Sequence, residues 1–141
     1  MLAYSGRPES ALEAIRTAVR LDPRPSAHLS TYYGLVLFLN HRYEDAIAVL
    51  EPIAETRDRG IADSPREILA MSYARLGRRA DAREQVRALH RREPFLNLAY
   101  YRMFYSHHAR AEDLEHRLDA LRGAGMPQPG RSGSRRRRPS G

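Results

Sequence analysis

The chain has 141 residues, six histidines, seventeen acids and no cysteine, which narrows the chemistry open to it. Its densest ligating group is His107-His108 with Glu112 and His116. His108, Glu112 and His116 step by four, so one helix face can carry all three. A zinc site asks for three or four ligands fixed by a second layer of hydrogen bonds. A polar face on a terminal helix accounts for the same residues, and no metal is assigned. His28 between Ser26 and Ser30, and Glu44 beside Asp45, have the types for proton transfer. Each stands where a helical stretch begins, and there Ser, Asp and Glu serve free backbone N–H groups and the helix dipole. No glycine-rich phosphate loop or nucleophile elbow is present. The expectation is a chain with no catalytic residue, no cofactor and no metal.

The charge narrows the partners. Net charge is +7, but Arg131, Arg135, Arg136, Arg137 and Arg138 lie after Pro127 with no acid among them. Without them the body has 19 basic against 17 acidic residues. The tail would attract phosphates or anionic lipid without sequence choice. It has no nearby aromatic to stack on a base, so nucleic acid is a disfavoured partner. All 24 basic residues are arginine, which fits a coding bias better than a binding device. No apolar stretch approaches the roughly 18 residues of a membrane span, and Met1 to Arg20 lacks a secretory apolar block. The reading is a soluble, cytoplasmic protein of one domain.

The elements that would position these residues repeat. Gly6-Arg7-Pro8-Glu9-Ser10-Ala11, His41-Arg42-Tyr43-Glu44-Asp45-Ala46 and Gly77-Arg78-Arg79-Ala80-Asp81-Ala82 align, with closing alanines 35 and 36 residues apart. Ile15, Leu50 and Val86 each follow four residues later. Two copies end alike, at Pro23 and Pro94, whereas the middle one runs into Asp58-Arg59-Gly60. Ser64-Pro65-Arg66-Glu67 has the form of a capping box with proline in the first turn. Gly77 stands where a helix end favours a left-handed residue. The pattern predicts helices over 8–21, 27–39, 43–56, 64–76, 79–92, 95–106 and 110–122, joined as antiparallel neighbours.

These residues resemble the tetratricopeptide repeat. The second hairpin supplies Tyr33-Gly34, Leu37, Ala46 and Leu50, and the third Leu69-Ala70, Tyr73, Ala82, Val86 and Pro94. The first supplies Ala11, Ile15, Ala18 and Pro23. The resemblance implies an all-α, right-handed superhelical stack of antiparallel hairpins with a C-terminal capping hairpin. Small residues at Gly34 and Ala70 would let Ala46 and Ala82 approach to about 8–10 Å between helix axes. Ser30 and Arg66 depart from the pattern's first large residue, and Ile53 and Leu89 from its last small one. The implied units are half a repeat at 1–24, hairpins at 25–60 and 61–94, capping helices at 95–126 and a disordered arginine-rich tail at 127–141.

The resemblance also implies a site. First helices of such hairpins line a concave groove, here presenting His28, Thr31, Leu35, Phe38, Ser64, Glu67, Met71 and Arg75. The Lys, Asn and Arg clamp of the family's chaperone-binding members is absent, since Thr31 and Leu35 hold two of its positions. What remains suits an apolar or helical segment, with helix 95–106 expected to cover part of it. The missing first helix should leave Leu12, Ile15 and Val19 uncovered for an upstream repeat or for self-association. Residues 77–127, ending Leu121-Arg122-Gly123-Ala124-Gly125-Met126-Pro127, also look like the C-terminal repeat region of bacterial class III adenylate/guanylate cyclases. That would make the chain an accessory region; no cyclase domain is present. The expected function is a non-catalytic protein-interaction module, with cyclase accessory region and tail-mediated nucleic-acid association as alternatives.

Overall fold

The computed structural model describes residues 7–55, 64–106 and 110–129. These contain helices α1 (Pro8–Leu21), α2 (Ala27–Leu39), α3 (Tyr43–Leu50), α4 (Pro65–Arg75), α5 (Arg79–Arg92), α6 (Leu98–Tyr105) and α7 (Ala111–Gly123). A 3-10 turn, Glu51–Ile53, continues α3, and no strand occurs among the described residues. Consecutive helices pack pairwise, α2 with α3 and α4 with α5, and α4 also lies against α3, α2 and α7. This is an all-α, tetratricopeptide-like stack of helical hairpins. No helix among the described residues is long and apolar enough to cross a membrane.

Local signals fix most boundaries. Pro8 and Pro65 open α1 and α4, at positions where a missing N–H costs nothing. Ser26 accepts from Leu29 N–H, and Ser64 from Glu67 N–H, the serine half of the expected capping box, while the Glu67 carboxylate accepts from Tyr105 and Arg117. Helix ends repeat in detail. Arg42 N–H donates to Leu37 O and Arg78 N–H to Tyr73 O, both at 2.9 Å, and Met126 N–H to Leu121 O at 3.0 Å. That six-residue closure needs a left-handed residue just before its donor. His41, Gly77 and Gly125 fill the role with φ of 61°, 78° and 100°. Arg42–Asp45 and Arg78–Asp81 ion pairs then follow at the same spacing. The middle and third copies are therefore equivalent in geometry.

Two helices differ from expectation. α3 stops at Leu50 instead of running to 56, because Pro52 offers no N–H and its ring crowds the preceding turn. α6 begins at Leu98 instead of 95, where Asn97 caps it by accepting from Tyr100 N–H at 2.9 Å. Pro127 O accepts from Leu98 N–H at 2.9 Å, so the chain after α7 returns to the start of α6. Most of the expected tail, residues 130–141, lies outside the described residues, as do Asp58-Arg59-Gly60, Met1 to Ser5 and the His107-His108 pair.

One core joins all seven helices. Ala46, Ala70 and Ala82 are fully buried, as the repeat spacing requires, whereas Pro23 and Pro94 are exposed residues of the connecting turns. Gly34 is buried, but the side chain it admits is Leu50, one turn beyond Ala46. Leu12 and Ile15, expected to be uncovered, are only 8% and 5% exposed, and Val19 is half-buried. α1 packs on α2, and Leu12 and Ile15 join the common core with Val19 packed against it. Each such side chain gains about 1.5–3 kcal/mol on leaving water, so the stripe is core and the contact site expected there is not open.

Candidate helix-docking groove

α2 and α4 form the wall on which the groove residues were expected. Six of the eight are buried: Thr31, Leu35, Phe38, Ser64, Glu67 and Met71. Only His28 and Arg75 are exposed. Along α4 and at Phe38 the groove expected from the sequence is thus a filled one, and its occupant there is part of the same chain. α7 runs along α4, from Arg117 at Glu67 to Gly123, where an added Cβ would lie 3.6 Å from the Ala74 Cβ. α7, not the 95–106 segment alone, is the main cover.

The centre of the contact is charged and dry. Glu67 and Arg117 are each 0% exposed, and Arg117 Nη2 donates to Glu67 Oε2 at 3.3 Å. Tyr105 O–H, from α6, donates to the same carboxylate oxygen. The Arg117 guanidinium stands 3.8 Å from the centroid of the Tyr105 ring, so one face of the cation is stacked while its edge meets the acid. Removing one member of such a set strands a buried charge; removing both costs far less. The arrangement therefore sets which side chain sits where more than it adds adhesion.

Towards the start of α7 the contact becomes aromatic. The His116 ring stacks on Phe38 at 4.6 Å and on His41 at 4.5 Å between centroids. The Tyr43 hydroxyl lies 2.9 Å from His41 Nδ1 and 3.2 Å from His116 Nε2. Burial, with the charges of Arg75 and His41 adding to it, pushes His116 down to about 4, so its ring is neutral at pH 7. Burial likewise raises Asp113 from its ordinary value, although Arg110 pairs with it at 3.3 Å. On the other side of α4, burial and a hydrogen bond donated to Glu51 push Tyr73 up to about 12. That bond ties α4 to the 3-10 turn. Among the described residues, no group of three or more His, Cys, Asp or Glu is placed to hold a metal ion. His116 serves the helix contact instead.

Residues 2–58 match the tetratricopeptide repeat family model. This is less than half of the chain, and it spans the first copy and the second hairpin; the third hairpin continues the same fold with the same turn geometry. Neither curated proteins nor solved structures gave a match. Nothing supports the cyclase-like reading of residues 77–127. Within the tetratricopeptide-like stack, sequence reasoning placed Glu67 and Phe38 on the inner wall and missed what they meet: Tyr105, His116 and Arg117. A signal was there. Arg117 interrupts the apolar row Leu114, Leu118, Leu121 at helical spacing, and an arginine inside such a row needs a buried acid.

Proposed function

We propose that the chain is a non-catalytic protein-interaction module that works through the wall of α2 and α4. The observation that carries this reading is the seating of α7: the wall accepts a helix through apolar contacts and one fully buried acid, Glu67. Helical hairpin repeats bury their own faces against neighbours, and what they offer beyond stability is shaped surface. A surface of this kind recognises an amphipathic helix by its apolar spacing and selects it by a single charge. A cytoplasmic site of action and a place in a longer repeat protein are compatible with this function.

Site-specific photocrosslinking in living cells tests it. Crosslinkers at His28 and Arg75, the two exposed wall positions, should give discrete protein adducts, while one at Ala80 on the exposed side of α5 should not. Adducts confined to Ala80, or adducts to nucleic acid alone, would overturn the reading.

A further inference from the structure

Resting on that reading, we propose that α7 is an exchangeable intramolecular occupant of the wall, and that the partner is an amphipathic helix carrying an arginine within a leucine row, as α7 does. The row is Leu114, Arg117, Leu118 and Leu121, spaced by three, four and seven from the first. Arg117, Leu118 and Leu121 are buried to 1% exposure or less, so a competitor must reproduce them to fill the same space. Charge complementarity names the required cation. Glu67 has no solvent access, and a helix with an apolar side chain in place of Arg117 would leave that carboxylate dry and short of its ion pair.

Two features make exchange feasible. First, a buried ion pair returns little net energy over an apolar contact of the same shape, so the Arg117–Glu67 contact selects α7 more than it glues it. Second, the start of α7 borders open space. A cavity of about 350 Å³ lies there between Pro8, Asn40, Arg110, Asp113 and His116, and His116 is only half-buried. Displacement has an entry point at that end, while the Arg117 end holds the register.

The chain has no cysteine, so α7 can be locked reversibly. A Cβ at position 123 would lie 3.6 Å from that of Ala74, inside the disulfide range of about 3.5–4.5 Å. The experiment uses the full-length Ala74→Cys/Gly123→Cys chain and a fluorescent peptide copying residues 110–129. Polarisation should show saturable binding to the reduced chain and weakening by roughly tenfold or more on oxidation, because a tethered helix then competes without release. A peptide with Arg117→Ala should bind roughly tenfold or more weakly. The full-length Arg117→Ala chain, whose own helix is weakened, should bind the unaltered peptide more tightly than wild type. Equal binding in both redox states would overturn the proposal, as would equal binding of the two peptides, or no binding even to the Arg117→Ala chain. A dimer by light scattering that vanishes on oxidation would identify a second copy as occupant and overturn the partner-helix assignment. Adducts recovered equally from locked and reduced chains added to a cell lysate, the locked one without reductant, would keep the interaction module and move its contact off this wall.

Discussion

Replacing Gly34 by alanine perturbs a close crossing of α2 and α3. A Cβ there would stand 2.5, 2.6 and 2.7 Å from Leu50 Cγ, Cδ2 and Cδ1. Carbon atoms pack at about 3.5–4.0 Å, so Leu50 or the α2 backbone would have to retreat by roughly 1 Å. Leu50 is 0% exposed and has nowhere to go. Overpacking of this kind costs about 1–3 kcal/mol, and alanine returns about 1 kcal/mol of helix propensity. Because the clash involves three atoms and not one flexible end, the upper part of that range applies, leaving a net loss of about 1–2 kcal/mol. Leu50→Ala alone should cost about 2–5 kcal/mol. On that background the clash is gone, and Gly34→Ala should become stabilising by up to about 1 kcal/mol. The reversal of sign is a coupling energy of about 2–3 kcal/mol, measurable by urea unfolding of the four chains. If Gly34→Ala matches wild type, or has the same effect with Leu or Ala at position 50, the crossing is not the one described and the packing argument fails.

Other perturbations separate the remaining claims. Arg117→Ala strands the Glu67 carboxylate and should cost about 3–5 kcal/mol in urea unfolding, whereas Arg117→Met with Glu67→Gln should come close to wild type. A double variant as unstable as Arg117→Ala would contradict the view that the pair supplies register. His116 faces Arg75, His41 and Asp119, and its depressed value means that stability is complete above pH 6.5 and falls as pH drops towards about 4. Solvent screening at the half-buried ring holds that loss to about 1 kcal/mol, and His116→Gln should remove this part of the pH profile. Ala46→Glu and Ala82→Arg each force a charge into a fully buried position and should cost at least about 3 kcal/mol by thermal or urea unfolding. Near-wild-type melting of both would show the shared register to be wrong.

Residues whose local chemistry decides their structure were legible in advance. Ser26 and Ser64 announce helix starts by side-chain capping, Gly77 an end by its left-handed backbone, and α1, α2 and α5 fall on their expected ranges. Pro52 shortens α3 in a way its type alone allows one to see. Asn97 is subtler, since Pro94 and Phe95 mark a turn without saying where the next helix is capped. The site was legible by half. The resemblance to the tetratricopeptide repeat picked out Phe38, Glu67 and Met71 as inward residues, because its pattern implies which face of each first helix lines the groove. It does not report what covers that face. Glu67 and Arg117 are 50 residues apart, and periodicity within either helix carries no information about a contact between them.

His41 shows how the groove and the repeat are connected. It occupies the turn position that Gly77 fills in the next copy, and it does so with φ of 61°, where an L side chain costs roughly 1–2 kcal/mol. Glycine would serve the turn better. What glycine would lose is the ring that stacks on His116 and meets the Tyr43 hydroxyl, at the end of α7 where the cavity opens. Backbone strain persists only where the surrounding structure holds it, and here the ring contacts of His41 do so. In the middle copy the departure from the repeat's preferred residue falls at the contact with the seated helix, and the third copy, whose turn at Gly77 has open space around it, shows no such departure.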